Sequence, residues 1–305
     1  MNMERYINSK PDNFKPQEQE MEVFRDKHEE AVMLEALGKA QKILEAKSLK
    51  PEQFTDTYSE KLLTKCADYV ANCEARFKEK DESKSFAMRI EVYGKTLEGL
   101  IYDQINNNKV FGDNVRSVIT AKYDDYYAGI DSVIEGQNED GSSYIGCALD
   151  ATFGSPEKKI LGIRDNIKSG VLNDVIFYES PFGDPPQIHG RLQGIPKIVI
   201  GMDSKHLTQL AELWIQNDHE GLAKNQLFLM LLRQIEQQAE VYEIVAKRTH
   251  KLEIAKRYEQ IHTAISKLYK EQKTEQGIIM LESNIINDSV NQAIVQQLHS
   301  LLDLK

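Results

Sequence analysis

The chain has 305 residues, 41% hydrophobic and 28% charged, enough apolar material for one large core or two modest ones. A net charge of −10 argues against a protein that coats nucleic acid, since that affinity comes from Lys and Arg neutralising phosphates. Charge confined to a local patch still permits contact at one site. The first stretch, MNMERYINSKPDNFKPQ, is polar where a secretory leader needs an apolar segment, and no apolar run approaches the roughly 18 residues of a membrane span. The expectation is a folded cytoplasmic protein without a membrane partner.

Residues 1–16 contain two prolines and little apolar material and form a loose lead-in. From Glu18 to Ala46, Phe24, Ala31, Leu34, Leu37, Ala40, Ile43 and Leu44 recur at three- and four-residue steps, the spacing of an amphipathic helix. Pro51 to Lys80 repeats it with Phe54, Tyr58, Leu62, Cys66, Tyr69, Val70 and Cys73, and KEKDESK links it to the next helix. Cys66 and Cys73 lie seven apart on that helix, roughly 10 Å at about 1.5 Å per residue, too far for a disulfide. With Cys147 they are expected as reduced, buried thiols.

A third helix, Ser85 to Asn108, turns Ile90, Leu97, Ile101 and Ile105 to one side, with Glu98 on its border. The pattern then changes from helical to period two. Tyr127 to Glu135 and Ser143 to Phe153 are expected as an antiparallel pair joined by GQNEDGS. Asp124 and Asp125 fall in the turn before it; Tyr126 and Tyr127 could stack bases, although partly buried structure fits tyrosines at a strand start better. Ser155-Pro156-Glu157 is a helix start, the helix runs to Lys168, and Gly170 ends it. Asn173 to Glu179 and Lys197 to Met202 are short apolar strands, separated by the loop SPFGDPPQIHGRLQGIP, and Asp203-Ser204 caps a helix carrying Leu207, Leu210, Leu213 and Trp214.

From Glu220 onward the pattern is helical. Phe228, Leu232, Ile235, Ala239, Tyr242 and Ala246, then Ile254, Tyr258, Ile261, Ile265 and Leu268, have coiled-coil-like spacing, a seam for two packed helices or for a homo-oligomer. Ile285 to Leu302 closes the chain. The basic run Lys247 to Lys270 fits a solvated helix face better than a nucleic-acid contact. The fold class is thus mixed α/β: a helical N-terminal region (1–84), an α/β core (85–217) and a helical C-terminal region (218–305).

Strand alternation carries the chemical argument. Gly129, Asp131, Val133 and Glu135 share one face of the first strand; Gly146, Ala148, Asp150 and Thr152 share one face of the second. Asp131 and Asp150 therefore face one cleft, and with Glu98 they supply hard oxygen ligands for Mg²⁺ or Mn²⁺, an ion that activates water against a phosphodiester. Glu135 is a further acid on that face, at a strand end expected to meet solvent. No His/Cys set has zinc spacing, and there is no Walker loop, dinucleotide-binding glycine fingerprint or G-x-S-x-G elbow.

The order of a helix with Glu98 (GKTLEGLIYDQI), a strand with Asp131 (GIDSVIE), a strand with Asp150 (ALDATF), a helix with lysines (PEKKILGI) and a further strand resembles the PD-(D/E)XK nuclease superfamily, over roughly Ser85 to Gln216. The resemblance implies a restriction-endonuclease-like central sheet flanked by helices, a magnesium- or manganese-dependent nuclease, and DNA, less readily RNA, as partner. That family places a lysine two residues after the second acid, where this chain has Thr152. Some such families recruit the lysine from the next helix, which makes Lys158, Lys159 and Lys168 candidates. If Ile160, Ile163 and Ile167 are the buried stripe, Lys159 falls about 75° from its centre and Lys158 nearly opposite it, so Lys159 is the expected catalytic lysine beside Asp131, Asp150 and Glu98. A nucleic-acid-binding protein that has lost catalysis through Thr152, and a helical assembly protein, are the alternatives.

Overall fold

The computed structural model describes residues 27–80, 85–137, 143–278 and 280–303. Phe24 and the expected start of the first helix at Glu18 lie outside them, as do the link at 81–84 and most of the turn-rich GQNEDGS.

The chain opens with α1 (Lys27–Lys47), a 3₁₀ turn (Pro51–Phe54), α2 (Glu60–Lys80) and α3 (Ser85–Asn107). The single helix expected from Pro51 to Lys80 is divided because Pro51 starts a short 3₁₀ turn, after which the chain restarts at Glu60. Next come β1 (Val115–Ile119), α4 (Lys122–Ala128), β2 (Ser132–Gln137), β3 (Ser143–Thr152), α5 (Glu157–Ser169), β4 (Asn173–Glu179), β5 (His189–Ile195), β6 (Lys197–Gly201) and α6 (Ser204–Ile215). The chain ends in α7 (His219–Ala223), α8 (Gln226–Arg248), α9 (Leu252–Glu275), α10 (Ser283–Ile286) and α11 (Ser289–Asp303). No helix among the described residues is long and apolar enough to cross a membrane. The mixed α/β class follows from a four-stranded sheet in the order β1-β2-β3-β6, a separate β4-β5 hairpin and the surrounding helices.

Three further elements differ from the sequence reading. Tyr127 to Glu135 does not form one strand: Lys122–Ala128 is helical, Gly129 closes the helix at φ 61°, and β2 starts only at Ser132. Asp124 and Asp125 are therefore helix residues. The loop before β6 contains strand β5, in which Gly190 and Gly194, both at positive φ, interrupt the alternation that would have revealed it. At α5 the N-cap is Pro156 and no side chain caps it; Ser155 Oγ is 3.5 Å from Glu157 N–H.

β1, β2 and β3 pair antiparallel, whereas β3 and β6 run parallel with α5 in the crossover. One face of the sheet, with Ile134, Cys147, Leu149, Ile198 and Ile200, packs on α1, α3, α5, α6, α8, α9 and α11 in a core that draws residues from both helical ends of the chain. On the other face Val118, Val133 and Ala148 meet Val175, Tyr178, Leu192 and Ile195 of the hairpin. Burial on both faces accounts for continuous apolar runs such as Lys197–Gly201. Close approach of α1 and α3 depends on Gly99, where a Cβ would lie 2.7 Å from that of Ala40. Cys66, Cys73 and Cys147 are free and buried.

The outer edge of β6 is covered by side chains. Gln238 on α8 accepts from Val199 N–H at 3.0 Å and donates to Val199 C=O at 2.6 Å. One helical turn earlier, Gln234 does the same for Gly201, at 3.0 and 2.9 Å. Both glutamines are fully buried, so the edge strand's polar groups are satisfied as a further strand would satisfy them. The apolar side of α8 is filled within the chain, chiefly by α9.

A second polar lock joins α6 to α11. Asp203 caps α6 by accepting from His206 N–H, and its other oxygen accepts from Ser289 N–H. Asp288 caps α11 through Val290 and Asn291 N–H and accepts from His206 Nδ1 at 2.8 Å. Hydrogen bonds to Asp203 and Asp288 raise His206 to about 9. Asp203 falls to about 2 because, although burial opposes it, the hydrogen bonds from His206 and Ser289 favour its carboxylate.

Two stability outcomes are expected. Gln238→Leu leaves the Val199 N–H and C=O buried without partners and costs about 2–4 kcal/mol in urea unfolding at unchanged m-value. His206→Gln costs most below pH 6.5, because the histidine's folded pKa lies above its ordinary value of 6.5. Its contribution is then lost as pH rises through about 9, so unfolding midpoints of variant and wild type should converge in alkaline buffer.

Candidate functional site

The register of β2 on β3 sets the site. Val133 lies opposite Ala148 and Ser132 opposite Leu149, so one further step places Asp131 against Asp150 on the same face of the sheet. Asp131 stands just before β2 and continues the ladder by other means: its N–H donates to Leu149 C=O at 2.9 Å, and its Oδ2 accepts from Ala151 N–H at 2.6 Å. The carboxyl group is thereby aimed across the end of β3 at Asp150.

Asp150 is 4% exposed and lies between two ammonium groups. Lys159, in the first turn of α5, meets Oδ1 at 2.5 Å, and Lys197, at the start of β6, meets Oδ2 at 2.7 Å. The two lysines are not equivalent. Lys197 is nearly buried and also donates to Ala128 C=O at 3.1 Å; the absence of a side chain at Gly129 leaves it room, since a Cβ there would stand 2.9 Å from its Nζ. Lys159 keeps 39% of its side chain in solvent. Lys158 and Lys168 are exposed.

Glu98 approaches from α3, with both its oxygens taken by Lys95 one turn earlier, at 2.8 and 3.2 Å. Lys95 also lies 3.8 Å from Asp125 on α4. Asp125 is within hydrogen-bonding reach of Asp131, a contact between two carboxyl groups that is favourable when they share a proton. The structure thus joins Asp131, Asp150 and Lys159 directly, with Glu98 acting on Asp131 through its charge and no three of the site's acids bringing their oxygens within 4.8 Å of one another. It adds three residues that sequence reasoning missed: Lys95, Asp125 and Lys197. Only Asp125 left a trace, as half of an adjacent acid pair. Its neighbour Asp124 points the other way and serves the fold, accepting from Ile176 and Phe177 N–H of β4 at 2.7 and 3.1 Å; burial lifts it to about 6 against those two bonds.

Glu135 does not meet solvent, as its place at a strand end suggested. It is 1% exposed and accepts from the hydroxyls of Tyr178 and Ser180, on the face covered by the β4-β5 hairpin. Its partners are more than forty residues away along the chain, which is why strand position alone misplaces it.

The electrostatics are those of crowded acids. Burial pushes Asp131 well up, and the charges of Glu98, Asp125 and Asp150 add to it, with Lys95 opposing. Glu98 and Asp125 are also raised, first by burial, with Lys95 working against the rise in both. Burial disfavours the Lys95 ammonium, yet Glu98 and Asp125 outweigh it and raise its pKa. The donor set is all carboxylate oxygen, which suits a hard divalent cation and not zinc. Lys95 and Lys159 occupy the oxygens such an ion would take. Among the described residues the one compact trio of metal-type donors lies elsewhere, at Asp203, His206 and Asp288, within 4.8 Å of one another; its carboxylates already accept the N–H groups that cap α6 and α11.

No protein-family model, curated protein or solved structure matches the chain.

Asp131→Asn is expected to stabilise the protein. Asparagine still accepts from Ala151 N–H but removes a charge from among three other acids. Because the folded pKa of Asp131 lies above its ordinary 3.8, the aspartate's contribution is fully present only below that value and is lost as pH rises. Thermal unfolding should show a gain of about 1–2 kcal/mol at neutral pH that shrinks in acid.

Proposed function

We propose that the chain is a metal-dependent nuclease that hydrolyses phosphodiester bonds of nucleic acid, most readily DNA, in a PD-(D/E)XK-like core. The observation that carries this reading is that Asp131, from the segment leading into β2, and Asp150 of β3 meet at one end of the sheet with Lys159 on Asp150, within reach of the charge of Glu98 from α3. The order α3, β1, β2, β3, α5 and β6, interrupted by α4 and by the β4-β5 hairpin, with β6 added parallel to β3, supports it as well. Acids gathered at a cost in mutual repulsion are characteristic of sites that bind a cation or move protons.

Asp131, Asp150 and Glu98, with Asp125 beside them, would hold Mg²⁺ or Mn²⁺. Bound there, such an ion supplies Lewis acidity toward phosphate oxygens and lowers the pKa of its water. The chain's own residues set the rest. Lys197 is nearly buried and keeps Asp150 in place, whereas Lys159, although it also donates to Ala151 C=O at 3.3 Å, is exposed enough to leave Asp150 for a phosphate oxygen and offset the charge that develops there. Burial raises both Asp125 and Asp131, so protons compete with a cation for their oxygens and cation binding would strengthen as pH rises. The reduced thiols of Cys66, Cys73 and Cys147 accord with a cytoplasmic setting.

Thr152 favours a second reading. It stands where a strand lysine would complete the motif, and both Asp150 oxygens are held by lysines, as suits a nuclease-fold protein that binds nucleic acid without cutting it. Incubation of purified protein with plasmid and linear DNA in Mg²⁺ or Mn²⁺ separates the two. Cleavage that falls about 10²–10³-fold in Asp150→Ala, and that Lys159→Ala also impairs, is the expected result. Salt-dependent binding with no cleavage in either ion would replace the first reading by the second.

A further inference from the structure

Resting on the nucleic-acid reading, a second feature of α4 bears on which form of nucleic acid the protein takes. This helix carries Asp125 into the acid cluster and a set of aromatic rings on its other sides. Tyr123 and Tyr127, one turn apart, are parallel to within 10° with centroids 5.4 Å apart, an offset stack. Tyr69 of α2 is nearly equidistant from them, at 5.5 and 5.8 Å and steeply inclined to both, so it flanks the stack and does not cap it. Tyr123 also leans on Phe177 in the core. Tyr127, the outer member, is 66% exposed, and the stack ends on a ring open to water.

A second ring pair adjoins it. Phe77 of α2 is 53% exposed and meets Tyr126 edge to face at 5.3 Å. Of the large apolar side chains exposed among the described residues, Phe77 and Tyr127 are the two aromatic ones, and both lie on this α2-α4 surface. Cations accompany them. Lys122, 66% exposed, pairs with Glu74 at 2.7 Å, and Arg76 donates to Cys73 Sγ and Asn72 C=O, with no carboxylate partner among the described residues. Asp125, on the same helix, lies 3.8 Å from Lys95 of the acid cluster, so α4 joins this surface to the cluster.

We infer that the α2-α4 surface is a stacking platform for unpaired bases, with Tyr127 as its principal ring, Phe77 as its second, and Arg76 and Lys122 as contacts for the backbone phosphates of a single strand held beside the acid cluster. An open π-face recognises any base, and stacking on exposed rings beside a cationic track is how single strands are held without sequence preference. A duplex keeps its bases stacked inside and cannot use the rings.

Fluorescence anisotropy of labelled oligothymidylate, with Ca²⁺ as the only divalent ion, tests this against a blunt duplex of the same length. Tyr127→Ala should weaken single-strand binding about 5- to 100-fold, Tyr127→Ala with Phe77→Ala further, and Tyr127→Phe or Tyr127→Trp little. Duplex binding should be unchanged in all of them, and unaltered melting curves exclude misfolding. Single-strand affinity within about twofold of wild type in the double variant overturns the platform, as does a wild type that binds no single strand. If that same wild type still cleaves duplex DNA with Mn²⁺, the hydrolytic reading survives the loss. A double variant that binds oligothymidylate normally but sediments as a smaller species would instead assign the rings to contact between copies of the chain.

Discussion

The parallel pairing of β3 with β6 is the constraint on which the rest of the central architecture rests. A parallel partner demands a crossover, and α5 begins that crossover within a few residues of the end of β3. One connection therefore brings three charges into contact: Asp150 at the end of β3, Lys197 at the start of β6, and Lys159 in the first turn of α5. The antiparallel neighbour β2 then fixes Asp131 opposite Asp150. None of these groups is near another in sequence except Asp150 and Lys159, and their convergence is a property of sheet topology.

How much of this was legible in the sequence depends on the range of the forces involved. The opposition of Asp131 and Asp150 follows from strand parity, which survives even though the first strand starts later than its apolar pattern suggests. The reach of Lys159 follows from helical phase, set by Ile160, Ile163 and Ile167. These are local periodicities. Lys197 was not legible, because a lysine at the head of an apolar strand looks like an ordinary boundary until β6 is known to lie beside β3. Asp125 was hidden because it reads as part of a turn before a strand, where the chain instead forms a seven-residue helix whose tyrosines run on into the strand pattern. Glu135 was misplaced because its burial depends on Tyr178 and Ser180 of a hairpin that a glycine-broken strand concealed.

Local charge, not the sum, describes the site. A chain with net charge −10 nevertheless brings Lys95, Lys159 and Lys197 to meet Glu98, Asp125, Asp131 and Asp150. Without the lysines such a set of acids would resist folding; with them the acids remain close but incompletely neutralised, as the raised Glu98, Asp125 and Asp131 record. The lysines differ in their freedom, Lys197 nearly buried and Lys159 with 39% of its side chain in solvent, and on the proposed reading Lys159 is the one that would yield to a cation.

The glutamines that cover β6 carry a geometric consequence. Four residues of helix advance about 6 Å and two residues of strand about 6.6 Å, so the two scales mesh like a vernier for a short distance and then fall out of step. Gln234 meets Gly201 and Gln238 meets Val199, but the next mark on the helix, Tyr242, leaves its hydroxyl without a partner, and Lys197 C=O is reached by Tyr258 of α9 instead, at 3.3 Å. A helix can therefore imitate a strand for two rungs only. The third must come from another helix, and α9 is thereby tied to the strand residue whose ammonium holds Asp150.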